Sequence, residues 1–296
     1  MTVPRAFRLG LLAWPVGRPA SVAAFGARLD AWLDQARGKA DLVVLPEYAC
    51  VELGAALSGE DAPDEAAELR GIVAHAPDIL AVMRDATRRA GLWLVPGTLP
   101  VAEGGRVVNI APLIAPDGRM AAQQKRMMTR FEAERWGISP GAAPAVFETP
   151  WGKIGISICY DVEFPKHARM QVEAGAWVIL APSSTDSLHG FSRIRIGAQA
   201  RALENQCYVA VAPTVGLAPW SAALDENHGQ AAVFGPPDRG FPADGVVAAS
   251  PMDTPGWVFA TLDPALVEAV RRDGAVLNHR DFPRAPMPRC TPAEYR

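Results

Sequence analysis

The chain has 296 residues, 49% of them hydrophobic and 21% charged, with 26 glycines and 27 prolines, which is globular composition rather than low-complexity composition. A formal charge of -3 with no block of five like charges argues against a nucleic-acid or polybasic membrane surface and favours small or neutral ligands. Cys50, Cys159, Cys207 and Cys290 are widely spaced with no CxxC pair, so they suggest neither a zinc site nor a disulfide framework and point to a reducing compartment, the cytoplasm.

Residues 7 to 13 (FRLGLLA) are a short apolar run. Arg5 and Arg8 ahead of Leu9 to Val16 look loosely like a secretory leader, but Pro15 and Arg18 interrupt the pattern and a buried first strand reads at least as well. Val22, Phe25, Leu29, Trp32, Leu33 and Ala36 follow at helical spacing, with Gly38 just past the end. DLVVLPE at 41 to 47 has a buried-strand pattern stopped by Pro46, which leaves Glu47 at the strand's carboxyl end, where α/β folds gather ligand groups. The stretch from Val51 to Pro77 is acidic and Ala-rich; a loop beside Glu47 would shape access, yet it carries no readable specificity code. A helix is predicted from Asp78 to Ala90, with Ile79, Met83, Ala86 and Ala90 on one face and Gly91 as cap, and LWLV reads as the next strand.

VVNIAPLIA and RMAAQQK are joined by Pro116-Asp117-Gly118, and AVFET and KIGISIC by Pro150-Trp151-Gly152. Both junctions are turn chemistry between apolar runs, so two hairpins are predicted and the sheet is mixed rather than purely parallel. After Cys159 the pattern gives a helix (about 165 to 174), a strand (WVILAP), a longer helix (about 191 to 206) and a strand (CYVAVAP). VVAAS and WVFATL are strand-like, and a proline-rich tail begins at Asp281. No repeat appears, so one domain is expected over residues 1–280, followed by the tail 281–296. The uncharged stretch Tyr208 to Ala223 holds two prolines and falls short of the ~20 apolar residues of a membrane helix, so a soluble protein is expected.

The segment GISICYDVEFP ends an apolar strand on Cys159 and turns at once. Backbone N–H groups at such a junction can stabilise a thiolate and a developing oxyanion. Alone, such a cysteine is more often a small buried hydrophobe. A nucleophilic thiol needs a base, and the five histidines (His75, His167, His189, His228, His279) offer no clear candidate. His167, after Pro165 at a helix start, reads as a surface or supporting residue. A carboxylate and a lysine are the better suspects.

Three segments, LPEY at 45 to 48, KRMMTRFEAERWGISPG at 125 to 141 and ICYDVEFP at 158 to 165, resemble the carbon–nitrogen hydrolase (nitrilase) superfamily, on its amidase-like side. The family pattern is a Glu, a Lys and a Cys at three strand ends in that order, and the run GAWVILAPSSTDSLHGFSRIRIGAQARALENQCYVAVAP is similar too. The resemblance covers roughly residues 7 to 265. It implies a four-layer α-β-β-α sandwich with mixed β-sheets, a homodimer or larger homo-oligomer, and no metal or organic cofactor. Residue by residue it makes Cys159 the nucleophile, Glu47 the general base and acid, and Lys125 the cation facing the oxyanion. Glu132, seven residues after Lys125, would support the lysine, and the backbone N–H of Tyr160 would be the second oxyanion donor. Ser184 and Thr185 are weak candidates for the pocket. Arg201, Glu204 and Asn205 read as a structural ion-pair and capping set, and Trp14, Trp136 and Trp220 as core or pocket wall.

The implied reaction is hydrolysis of a small, non-peptide, linear amide through a thioester on Cys159, releasing ammonia or an amine. Nitrile or N-carbamoyl hydrolysis on the same three residues is the sibling reading, and a silent binding or scaffold member is the rival from another class. Met127 stands where many relatives carry a histidine, which removes a polar contact there. The wording around residues 183 to 206 looks closest to a branch that some proteins fuse to an acetyltransferase, for which this chain has no room.

Overall fold

The computed structural model describes residues 3–60 and 63–284; the tail beyond them, Cys290 included, lies outside the described residues. In chain order the strands are β1 (Phe7–Pro15), β2 (Leu42–Val44), β3 (Trp93–Val95), β4 (Leu99–Glu103), β5 (Arg106–Ile114), β6 (Met120–Gln124) and β7 (Val146–Thr149). Then come β8 (Gly152–Ile156), β9 (Val178–Ser183), β10 (Tyr208–Leu217), β11 (Glu226–Asn227), β12 (Ala232–Phe234), β13 (Val246–Ala249) and β14 (Gly256–Leu262). Their hydrogen-bonded order along the main path is β4-β5-β3-β2-β1-β10-β9-β8-β7, with β14 on β1, β6 on β5 and β12 on β10.

Alternation along β1 divides the core into two compartments. Leu9, Leu11 and Ala13 share one apolar cluster with Leu42 and Val44 of β2 and with Ile154, Ile156, Leu180 and Ala210 of β8 to β10. Leu12 and Trp14 join the other, with Phe25, Leu29 and Leu33 of the helix Val22–Ala36 and Ile79, Met83 and Ala86 of the helix Ala76–Ala90. The two halves of the sheet therefore face each other, held by Phe7 stacked on Trp151 at 4.8 Å and Trp93 edge-on to it at 6.0 Å. On the far side the helices Pro165–Glu173 and Leu188–Asn205 bury Ala168, Val172, Ile194, Ala198 and Ala202. Helices, half-sheet, half-sheet and helices are the four layers expected, and the halves are joined where β1 pairs with β10 through Trp14↔Thr214 and Pro15↔Val215.

Both hairpins form, β5 with β6 and β7 with β8. Gly118 closes the first turn at φ 84, a conformation open to glycine. The stretch Val51 to Pro77 is largely helical, with the 3₁₀ turn Ala49–Leu53, the short helix Gly54–Leu57 and the helix Glu65–Ala74 capped by Asp64. Its alanines and acidic first turn support helix, a signal that its low amphipathicity hid. His167 is buried, with Ser157 Oγ 2.9 Å from its Nδ1, so the supporting half of its reading stands and the surface half does not. Arg201 pairs with Glu204 at 2.7 Å, and Asn205 Nδ2 donates to the Arg201 carbonyl, as a structural set should. The first residues of the tail end the short helix Asn278–Asp281 and form the turn Phe282–Arg284. No helix among the described residues is long and apolar enough to cross a membrane.

Candidate active site

Strand direction decides where chemistry gathers. β1 runs parallel to β2 and β10, β10 to β9, and β9 to β8, so the carboxyl ends of these strands lie along one edge. β6 reaches the same sense by two reversals, antiparallel to β5, which is antiparallel to β3, itself parallel to β2. Glu47 follows β2, Lys125 follows β6, Cys159 follows β8 and Ser184 follows β9. Residues far apart in sequence are thus delivered to one mouth of the sandwich.

At its floor Lys125 Nζ donates to Glu47 Oε1 at 2.7 Å and to both oxygens of Glu132 at 2.6 and 2.7 Å. All three residues are 1% exposed. Such a cluster is stable only if each lone pair and proton is spoken for. Glu132 meets that condition, also accepting from Tyr48 Oη at 2.6 Å and from the Thr129 N–H and hydroxyl at 2.9 Å. Glu47 also accepts from Asn109 Nδ2 at 3.1 Å, and the Asn109 carbonyl receives the Lys125 N–H at 2.8 Å, so one buried asparagine positions both partners.

The electrostatics separate the two glutamates. Burial, reinforced by the Glu132 charge, raises Glu47 to about 7 despite Lys125. Burial acts on Glu132 as well, but the Lys125 ammonium and the Tyr48 and Thr129 donors outweigh it and hold Glu132 below the ordinary range. Burial disfavours the Lys125 ammonium, yet the two carboxylates overcome that and keep it protonated. The result is a fixed ion pair beside a carboxyl group poised to exchange protons.

Cys159 opens the 3₁₀ turn Cys159–Glu163 at φ 46, a left-handed conformation uncommon outside glycine. Its Sγ donates to the Ser184 carbonyl at 3.4 Å, and Glu47 lies near enough for its charge to act on the thiol. Burial and the Glu47 charge push the thiol well above its usual pKa, so the resting form is S–H. Asp161, two residues on, accepts from the backbone N–H groups of Arg126, Met127 and Ile158 and so ties the Lys125 segment to the cysteine turn. The helix Leu188–Asn205 backs that turn closely, with Arg201 Nη1 donating to the Val162 carbonyl at 3.2 Å.

Above this floor opens a cavity of about 690 Å³, lined by Glu47, Glu132, Cys159, Tyr160, Ser184 and Thr185 among others. Every site residue named from the sequence therefore lies in or directly beneath one cavity, Lys125 being the one beneath. Trp136 lines it with Tyr48 and Phe131, whereas Trp14 is core and donates to Glu52 at 3.0 Å. Met128 rather than Met127 faces the cavity; Met127 gives its N–H to Asp161. Sequence reasoning passed over Tyr48, Asn109 and Asp161. Only Tyr48 had a local signal, its place directly after Glu47. Among the described residues no group of three His, Cys, Asp or Glu side chains could hold a metal ion.

The carbon–nitrogen hydrolase family model matches residues 18–272. "Probable hydrolase YhcX" of Bacillus subtilis (strain 168) is 33% identical over 258 residues, 87% of this chain and 50% of that protein. "Deaminated glutathione amidase" of Synechocystis sp. is 30% identical over 194 residues, 62% of this chain and 68% of that protein. "Omega-amidase NIT2" of Danio rerio is 29% identical over 140 residues, 44% of this chain and 50% of that protein. The match thus spans half the length of the Bacillus and Danio proteins. Among solved structures, Saccharomyces cerevisiae Nit3, described as a member of branch 10 of the nitrilase superfamily, superposes with a TM-score of 0.73 at 22% identity, covering 95% of this chain and 98% of that one. An amidase from Nesterenkonia sp. superposes at 0.70 and 23% identity, covering 93% and 95%. At these identities the structural likeness concerns the fold.

Proposed function

The chain belongs to the carbon–nitrogen hydrolase family of the nitrilase superfamily, and from that premise we propose that it hydrolyses a small linear amide through a thioester on Cys159. The observation that carries the reading is the meeting of Cys159, Glu47 and Lys125 at the floor of one cavity, with Glu47 raised to about 7 beside a thiol that is protonated at rest.

A protonated thiol requires a base at the moment of attack. The Glu47 carboxylate takes the Cys159 proton as sulfur bonds to the carbonyl carbon. The resulting oxyanion lies between the Lys125 ammonium and the Tyr160 backbone N–H, with Ser184 and Thr185 on the cavity wall beside it. Glu47 then protonates the leaving nitrogen, the C–N bond breaks, and ammonia or an amine departs. Water enters, loses a proton to Glu47 and attacks the thioester; the C–S bond breaks and the proton returns to sulfur. Glu132 holds Lys125 throughout. A carboxyl group near 7 suits both halves of this cycle, since it must accept and release a proton at neutral pH.

The amidase names carried by several relatives favour amides over nitriles and N-carbamoyl compounds. The proposal includes a homodimer or larger assembly, for which the exposed Met170, Ile196 and Leu203 on the outer helices supply apolar surface, and a cytoplasmic location, consistent with the free thiols of Cys50, Cys159 and Cys207. Ammonia release from a panel of small amides, nitriles and N-carbamoyl compounds tests the reaction. Release from amides that vanishes in Cys159→Ala supports it; turnover of nitriles alone, or full activity in that variant, overturns it.

A further inference from the structure

Glu68 is 0% exposed, and among the described residues no Lys, Arg or His pairs with it. A carboxylate without a cation in an interior is costly, and its two oxygens show what it is spent on. Oε2 accepts the Ser221 hydroxyl at 2.6 Å and Oε1 accepts the Ala222 N–H at 2.9 Å. Ser221 Oγ, oriented by that donation, accepts in turn from the N–H groups of Ala223 and Leu224 at 3.2 and 3.1 Å. Glu68 therefore organises the turn between β10 and β11, and Ala222 to Asn227, the end of that turn with β11, form one wall of the cavity over Cys159.

The same helix, Glu65–Ala74, reaches the cavity lining at a second place. Glu65 at its first turn pairs with Arg135, which ends the turn Phe131–Arg135 that carries Glu132. Local packing is fitted to this arrangement: a Cβ on Gly54 would lie 2.8 Å from Glu68 Cβ and 3.0 Å from its Oε2. One helix thus bridges the part of the lining that carries the Lys125 partner Glu132 and the part formed by Ala222 to Asn227.

We propose that the helix Glu65–Ala74 is the size filter of this site, with Glu68 the positioning residue that holds the Ala222–Asn227 wall at a fixed distance from Cys159. The filter acts on whatever part of a carbonyl substrate extends toward that wall; it excludes bulky groups and admits slender ones. It rests on the reading of this cavity as the reactive site, but not on which bond is cleaved there. Without the Glu68 contacts the Ala222 N–H and the Ser221 hydroxyl lose their acceptor, and the wall gains room.

Alkylation of Cys159 by 2-haloacetamides bearing N-substituents of increasing bulk, followed by intact mass and peptide mapping, reads the filter without requiring turnover. In the parent chain the rate falls with bulk. In Glu68→Ala the ratio of slender to bulky rates drops by about tenfold, the scale of one lost buried contact to a charged group. Ser221→Ala, which removes the same bond from the other side, moves the ratio in the same direction and answers the question if Glu68→Ala does not fold. Glu68→Gln, which keeps the length and an acceptor for the Ala222 N–H, lies closer to the parent. A parent ratio preserved in both alanine variants overturns the proposal, even where their unfolding temperature drops, because a merely structural role lowers stability without changing selectivity. Failure of all amides to turn over, with the ratio still shifting, would instead count against the proposed reaction alone.

Discussion

Lys125 Nζ and Glu47 Oε1 stand 2.7 Å apart with both side chains out of water, and the same ammonium is shared with Glu132. Two carboxylates and one cation leave an excess negative charge, which falls on the glutamate with fewer donors. In the proposed reaction that asymmetry assigns the proton exchange to Glu47 and not to Glu132.

The first consequence is an acid limb in the pH profile. Glu47 must be ionised to accept the thiol proton, so activity falls as pH drops through its raised value of about 7. Below that point kcat/KM for a small amide is expected to decline about tenfold per pH unit. A limb centred near the ordinary Glu value of about 4.3 would contradict the role.

Removing the cation tests the floor itself. Lys125→Met leaves Glu47 and Glu132 buried without their shared partner, a change expected to cost about 3–5 kcal/mol at neutral pH. Both carboxylates would then titrate above their unfolded values, so the native state binds more protons than the unfolded state and the loss shrinks as pH falls from 7 to 5. Urea unfolding at the two pH values measures it, and kcat should fall about 10²-fold or more with the oxyanion contact gone.

Tyr48→Phe removes one of the donors that hold Glu132 ionised. Loss of a hydrogen bond to a charged group predicts about 2 kcal/mol of destabilisation, together with a lower kcat as Lys125 loses its fixed partner. Denaturant melts and steady-state kinetics on the same preparation check both; no change in either would remove Tyr48 from the site.

Asp161→Ala uncouples the Lys125 segment from the Cys159 turn, because the N–H groups of Arg126, Met127 and Ile158 lose a common acceptor. Slower alkylation of Cys159 and a stability loss of at least about 2 kcal/mol are expected. A variant alkylated at the parent rate would show that the turn holds its shape without Asp161.

The parts of this site that were legible in the sequence are those with a local cause. A strand pattern stopped by Pro46 places Glu47 and an apolar strand that turns abruptly presents Cys159, whereas Lys125, at the end of a hairpin strand, stood out only through the family resemblance. Tyr48, Asn109 and Asp161 escaped because their partners lie 84, 62 and 34 or 35 residues away and no local pattern announces such contacts. Glu68 and Ser221 are separated by 153 residues, and the helix that joins them to the cavity sat in a segment too weakly amphipathic to announce it. His167 deceived in the opposite way. Its position after Pro165 left a surface and a supporting role both open, but the cysteine turn packs over it, and burial lowers it to about 4, which keeps the imidazole neutral beside Asp161.

The central claim is a covalent intermediate on one sulfur, and rapid-quench mass spectrometry of the chain during turnover of a small amide reads it directly. The account predicts a mass gain equal to the acyl group, mapped to the peptide that holds Cys159 and absent from Cys159→Ala, with Cys50 and Cys207 unmodified. Undiminished amide turnover by Cys159→Ala, or an acyl group mapped to another residue, would contradict it.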